Sequence, residues 1–454
     1  MNLKKKKKIM REIKNKIISI SERKDAFKQT EIGRIPKEWE VVRLCEIVKE
    51  DKFAIVDGPF GTQLHSNEYV DSGVPLIRVN NINKDGSFNF NELVYISEVK
   101  FKSLKRSAVY PGDILLAKTG ATIGKVSIFP KEFEKGLIAS SCAKISIDKN
   151  KADTIYIFYF LLSEFGYKQI LALSTGATRP TINLTPISKI TISLPPLPEQ
   201  KKIAEILSTV DQAIEKVDEA IEKTERLKKG LMQELLTKGI GHKEFKDTEI
   251  GRIPKEWEVV KISNIADVKG GKRLPKGHNL VDFRTTYPYI RVVDFKNMSI
   301  DLANVKFLLP ETYKAIKRYT ISSNDVYISI AGSVGLAGLI PVELDGANLT
   351  ENAAKLCNLR RVVKDYLAYI LNSSLAQKQI HSFVGKAQQP KLALFRIEKI
   401  KIPLPPLPEQ QKIAEILSFV DKRLELLRRK KEKLERVKKG LMNDLLTGRR
   451  RVKI

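Results

Sequence analysis

Cysteine is scarce in this chain. The three that occur, Cys45, Cys142 and Cys357, stand far apart, so neither a disulfide framework nor a zinc site is indicated, and a reducing compartment follows. The four histidines, His65, His242, His278 and His381, lack metal-ligand spacing. No uninterrupted apolar run approaches the roughly 20 residues that a membrane span requires. The N-terminal run Lys4–Lys8 is not followed by the apolar core of a signal peptide. These absences predict a soluble, cytoplasmic protein without metal or cofactor. Acidic residues are also in deficit, 53 against 81 Lys and Arg, giving a net charge of +28 and a pI near 9.7. Thermophile-style enrichment in Lys and Glu would balance its signs, and this surplus does not. A negatively charged partner is implied, nucleic acid first and a membrane surface second.

Catalytic constellations are missing too. Gly120-Ala121-Thr122-Ile123-Gly124-Lys125-Val126 is glycine-rich, but a phosphate-binding P-loop needs one more residue and a Ser or Thr after the Lys. Lys118-Thr119-Gly120 matches a penicillin-binding triplet by letters only, its companions being absent in the right order. No Asn/Asp-Pro-Pro-aromatic motif of an adenine methyltransferase occurs. The chain reads as a non-enzyme.

What is present is repetition. Phe27–Val42 returns as Phe245–Val260 with one change, Gln29 becoming Asp247. Leu194–Thr237 returns as Leu404–Thr447 without a gap. The offsets are 218 and 210, so near-identical frames hold two unlike inserts, Arg43–Ser193 and Lys261–Pro403, that differ by 8 residues. Repetition on this scale fixes the architecture before single residues are read. The only two tryptophans, Trp39 and Trp257, occupy matching places and are expected to anchor each insert by packing.

Within the inserts, short β-rich runs alternate with Gly, Pro, Asn and Asp, as at Val74–Val79, Asp113–Ala117, Lys125–Phe129, Ile138–Ile147, Tyr289–Val293, Asp325–Ile330 and Ala337–Pro341. Each insert then carries one helix, about Thr154–Ala172 and Val363–Phe383. Pro75-Leu76-Ile77-Arg78-Val79 answers Pro288-Tyr289-Ile290-Arg291-Val292, Lys105-Arg106 answers Lys317-Arg318, and Asp113 answers Asp325. One α+β (mixed α/β) fold used twice is the prediction.

After Leu194 and Leu404 the periodicity changes. Prolines 195, 196 and 198 hold the chain extended, and Glu199 follows at a helix start. Ile203, Leu207, Val210, Ile214, Val217 and Ile221 alternate steps of four and three, as do Ile413, Leu417, Val420, Leu424, Leu427, Leu434 and Leu441 in the same register. This is a coiled-coil seam. About 40 residues of helix would reach roughly 60 Å. The short Lys238–Glu244 linker favours antiparallel pairing and a pseudo-two-fold arrangement. Leu231, Met232, Leu235 and Leu236 exceed what a two-helix seam can bury, so further partners are expected there. The boundaries predicted are 1–26 (a basic, partly helical lead-in with Ile9, Ile13 and Ile17 at helical spacing), 27–195, 196–240, 241–405, 406–447 and a basic tail, 448–454.

Base edges are read by Arg, Lys, Asn, Gln and hydroxyls, while Lys and Arg hold phosphates. The first insert offers Arg78, Asn80, Asn81, Lys118, Thr119, Thr122, Lys125, Thr178 and Arg179. The second offers Lys272, Arg273, Lys276, Arg291, Asp294, Ser333, Lys386, Gln388 and Gln389. Loops Gly176–Pro180 and Gly385–Pro390 correspond, and Arg179 against Gln388/Gln389 would exchange guanine preference for adenine.

These residues resemble a family. Pro-Pro-Leu-Pro-Glu-Gln-(Lys/Gln)-Lys-Ile-Ala-Glu-Ile-Leu-Ser at Pro195 and Pro405 is similar to the conserved-region opening of type I restriction–modification specificity subunits. So are the Gly-Leu-Met-x-x-Leu-Leu-Thr endings and Gly-Arg-Ile-Pro-Lys-Glu-Trp before each insert. Gly58-Pro59-Phe60-Gly61-Thr62 followed by Gly73–Val79 matches as well, whereas the second insert has Lys269-Gly270-Gly271-Lys272-Arg273. The resemblance covers nearly the whole chain. It implies two target recognition domains, each reading half of an asymmetric bipartite double-stranded DNA site. It also implies an antiparallel coiled coil that acts as a ruler and docks two adenine-methyltransferase subunits, with motor-nuclease subunits joining. The competing reading is a standalone tandem DNA-binding regulator; co-purification with an adenine methyltransferase would favour the specificity subunit over it. A self-contained nuclease or methyltransferase is a third reading, excluded by a purified chain that neither binds cofactor nor cleaves.

Overall fold

The computed structural model describes residues 17–19, 26–60, 63–384 and 391–453. The chain divides into two compact units, one of residues 1–217 with 430–454, the other of 218–429. Two helices of 39 residues, Leu197–Leu235 and Leu407–Leu445, each give one half to each unit.

In the first unit a hairpin of Phe27–Thr30 and Gly33–Pro36 leads in, turning where Gly33 adopts φ +107°. Glu40–Arg43 then pairs antiparallel with Thr191–Leu194, so the insert leaves beside the strand by which it enters. Between them lie two sheets. One is antiparallel, in the order Val126–Ile128, Ile114–Ala117, Cys142–Ile145, Ile55–Asp57. The other runs Tyr69–Val70, Val94–Ile96, Val74–Ile77, Gly136–Ile138, Ala108–Val109, with Val74–Ile77 and Gly136–Ile138 parallel. The central strands are buried on both faces, which is why they read as continuous apolar runs.

The second unit repeats this topology. Glu258–Lys261 pairs with Lys401–Leu404. One sheet runs Asp267–Gly270, Ala353–Cys357, Val326–Ser329, Ala337–Leu339; the other runs Lys306–Phe307, Pro288–Ile290, Ala347–Leu349, Thr320–Ile321, with the middle pair parallel.

The single helix expected late in each insert is split in two: Thr154–Leu162 and Glu164–Ala172, then Lys364–Leu371 and Ser374–Val384. The cause is a serine at each break. Ser163 Oγ donates to Phe160 O at 2.6 Å and accepts from Gly166 N, ending one helix and capping the next. Ser373 does the same between Ile370 and Ala376. Gly166 then packs so closely on Phe160 and Leu161 that a Cβ there would strike their backbone.

The long helices pair antiparallel within each unit. In the first, Ile203, Leu207 and Val210 share a core with Leu441, Leu445 and Leu446, and Asp211 meets Lys438 at 2.7 Å. In the second, Leu235 shares a core with Ile413 and Leu417, and Lys228–Asp421 and Glu225–Arg428 cross at 2.6 and 2.7 Å. The descending partner numbers fix the direction. Val217, Val420 and Leu424 are also buried, while Ile214, Ile221, Leu427 and Leu434 are half-buried.

Two expectations are corrected. Leu235 and Leu236 are buried, and Leu231 and Met232 pack against the same core as Trp257, so they are consumed within the second unit. The exposed large apolar residues of the two long helices are instead Leu227, Leu407, Phe419 and Leu426. Ile17 lies in a strand, Ile17–Ser19, paired antiparallel with Arg450–Val452, and not in a helix; Ile9 and Ile13 fall outside the described residues. The basic tail is likewise docked: Val452 is buried in the first core.

The tryptophans are fully buried, as their packing role requires, and each also donates a hydrogen bond. Trp39 Nε1 reaches Glu199 at 3.1 Å and Trp257 Nε1 reaches Glu409 at 2.9 Å. Glu199, buried completely, is further held by Arg451 Nη2 at 2.7 Å; Glu409 is held by His242 Nε2 and Ile240 N, each at 2.9 Å. A buried carboxylate is tolerated because every oxygen has a donor.

Candidate nucleic-acid interface

At one edge of the first unit the loops converge. The backbone after Ile114–Ala117 carries Lys118, Thr119 and Gly120; Gly120 N donates to Pro180 O at 2.8 Å, and Ile182 N to Lys118 O at 3.0 Å. Thr119 bridges Thr181, so the exposed Thr178 and Arg179 sit beside the Lys118-Thr119-Gly120 turn. An atom added at Gly120 would lie 3.9 Å from the Arg179 side chain. Thr122 follows in the same turn, its hydroxyl donating to Thr119 O at 3.1 Å, and Lys125 leads into the next strand. Gly58 crosses the end of the parallel strand, where a Cβ would strike the backbone of Ile138 and Ala139.

The second unit builds the same edge from other residues. Ala331 bridges Lys391, and Leu392 N donates to Ile330 O at 2.8 Å, so Ile330 holds the place of Lys118. Gly271 crosses against Leu349 and Thr350 as Gly58 crosses Ala139, so the insert without Gly-Pro-Phe-Gly retains the glycine on which the crossing depends. Lys272, Arg273 and Lys276 follow, all exposed; Arg273 Nε meets Glu351 at 2.8 Å and Lys272 Nζ lies 5.5 Å from the Tyr319 ring centre. That carboxylate raises the Arg273 pKa and is itself held low, although its burial works against it. Ser333 is exposed in the counterpart of the Gly120 turn. Lys386, Gln388 and Gln389 lie outside the described residues.

Several candidates are spent on structure. Asn81 is fully buried: its Oδ1 accepts from Arg78 N at 2.9 Å and its Nδ2 donates to Asn89 O at 3.1 Å. Asp294, also fully buried, accepts from Arg291 N, and it grips Arg291 Nη2 at 2.7 Å and Nε at 3.1 Å. These two residues close equivalent turns and present nothing to a duplex, which corrects their assignment as readers. Arg78 donates through Nη2 to Glu92 O at 2.8 Å, while its Nε is buried without a partner; Asn80 is exposed and donates to Glu92 Oε2. Lys118 is corrected as well. Only 3% exposed, it ion-pairs with Asp57 at 3.0 Å instead of facing solvent.

Sequence reasoning missed Asp57, Phe60 and Arg106. Arg106 Nη2 takes the other Asp57 oxygen at 2.9 Å, and the exposed Phe60 ring lies 4.7 Å from Lys118 Nζ. The Gly-Pro-Phe-Gly motif was the available clue. Among the described residues no group of His, Cys, Asp or Glu could hold a metal ion, and no helix is long and apolar enough to cross a membrane.

Two copies of one α+β fold, each packed on a part of both long helices, define a duplicated scaffold class. A family model described as the type I restriction modification DNA specificity domain matches residues 36–225 and 254–436. A specificity subunit of the type I restriction enzyme MjaVIII, from Methanocaldococcus jannaschii, is 30% identical over 458 residues, covering 95% of this chain and 97% of its own. One from the MjaX enzyme of the same organism is 32% identical, covering 95% and 98%. A crystal structure of the type I system S subunit from M. genitalium has the same fold, with a TM-score of 0.57 at 16% identity, over 90% of this chain and 96% of that one. The chain belongs to the type I restriction–modification DNA specificity family. It is a specificity subunit, the non-catalytic component of a complex in which other subunits carry out the chemistry.

Proposed function

We propose that residues 27–195 and 241–405 are two target recognition domains, each reading one half of an asymmetric bipartite DNA site. The carrying observation is the equivalent loop edge in the two units, where register is kept and side chains change: Lys118 against Ile330, Asp57 against Gly270, Thr181 against Lys391. A shared fold with an edge built from altered residues is what two different half-sites demand. The helical segments 196–240 and 406–447 fix the spacer and dock two adenine-methyltransferase subunits, with motor-nuclease subunits joining. Exposed Leu227, Phe419 and Leu426 supply apolar contact area for that docking.

Mapping methylated adenines by single-molecule sequencing tests the reading. A single bipartite motif is expected, and inserting or deleting a few residues at matching points of both helices should change its spacer, since recognition must track a duplex repeating about every 34 Å. An unchanged spacer would remove the ruler role.

A further inference from the structure

We propose that Phe60 and Arg106 form a duplex-contacting site in the first unit, Arg106 on a phosphate and the Phe60 ring on the adjoining base or sugar, with Asp57 and Lys118 as positioning residues. The inference rests on the proposed reading of a half-site by this unit. Asp57 sits at the end of its strand, 5% exposed, and its two oxygens divide between Lys118 and Arg106 at 3.0 and 2.9 Å. Its backbone carbonyl accepts from Ser107 Oγ at 2.8 Å, tying the Arg106 segment to the strand. Two cations share one carboxylate, leaving a local surplus of one positive charge, and it is placed on Arg106, whose side chain is half exposed. Lys118, nearly inaccessible, is turned toward the Phe60 ring, which stays 52% exposed. A cation over an aromatic face fixes the ring plane. The result is a solvent-facing aromatic and a half-exposed guanidinium linked through the Lys118–Asp57 pair, at the edge that carries Thr119 and Arg179.

The second unit sharpens the argument. Gly270 holds the place of Asp57 and Ile330 that of Lys118, so the fold does not need the ion pair. A buried pair costs desolvation that apolar residues avoid. Its presence in one unit only points to a positioning task there. The second unit meets its own edge differently, with Lys272 against Tyr319.

The test uses the full chain assembled with its methyltransferase subunits on a duplex carrying the mapped site. Phe60→Ala and Arg106→Gln should each weaken binding about tenfold, the scale of one good base or phosphate contact. Arg106→Gln should also lower the slope of log affinity against log salt by about one. Base changes in one half-site should lose their penalty in the Phe60 variant, while those in the other half-site keep theirs. Because removing one ion-pair partner strands a buried charge, the positioning role is tested with the double variant Asp57→Gly/Lys118→Ile, which copies the second unit. It should keep the thermal unfolding midpoint yet lose a similar tenfold in affinity. Wild-type affinity and salt slope in both single variants would overturn the proposal. So would variants that bind the duplex normally but fail to assemble with the methyltransferase, which would assign this surface to protein. If the unmodified assembly shows no bipartite preference, it is the half-site reading that fails.

Discussion

Glu199 and Glu409 show how much a single side chain can organise. Each opens a long helix and ends beneath a tryptophan indole. Trp257→Phe keeps the packing but removes the Nε1 donor, so urea denaturation should show a loss of about 1–3 kcal/mol. Trp39→Ala also leaves a cavity, and about 3–5 kcal/mol is expected by the same measurement. The tryptophans as anchors were legible from their matching positions, but the carboxylates were not, because Pro-Pro-Leu-Pro-Glu is sufficient as an ordinary helix start. The reading residues divide the same way. Polar character can be read along a chain, whereas the complete burial of Asn81 and Asp294, which leaves them closing the turns at Arg78 and Arg291, cannot. The cysteines give a simple check. Burial pushes the Cys142 thiol up to about 12 and raises that of Cys357, while Cys45 is exposed. A native sample at pH 8 should label rapidly at Cys45 alone, with the other two reacting after denaturation, as peptide mapping would show.

Among the elements, the long helices were the most legible and the insert helices the least. The seam repeats over many turns, and its 4–3 spacing survives any local accident. The break at Ser163 depends instead on one hydroxyl and on the contact of Gly166 with the preceding turn, neither of which disturbs apolar periodicity. Gly166→Ala should therefore lower the melting temperature measurably. Gly230 and Gly440 provide the contrast: both lie inside long helices with nothing within 4 Å of an added Cβ. Gly230→Ala and Gly440→Ala should each stabilise the chain by about 0.5–1 kcal/mol, the helix-propensity difference, measured by chemical denaturation.

For the molecule as a whole, the duplication was legible because two blocks repeat nearly letter for letter, whereas the strand order of the sheets, which lie in the unlike inserts, was not. Its net charge of +28 has a direct consequence for affinity. If several phosphates are neutralised, raising salt from about 50 to 200 mM should weaken binding to the mapped site by about 10³-fold or more, measured by fluorescence anisotropy. What the repeats did not disclose is the fate of the chain ends. Arg450–Val452 zips onto Ile17–Ser19, and Arg451 ion-pairs with the carboxylate beneath Trp39, whereas in the other unit the matching carboxylate is hydrogen-bonded from mid-chain by His242 Nε2. A purification handle fused beyond this strand therefore hangs from a secured segment, while a stop codon after Gly448 strips one unit of a strand and a counter-ion at once. Calorimetry of that truncation should resolve two melting events, only the lower of them displaced.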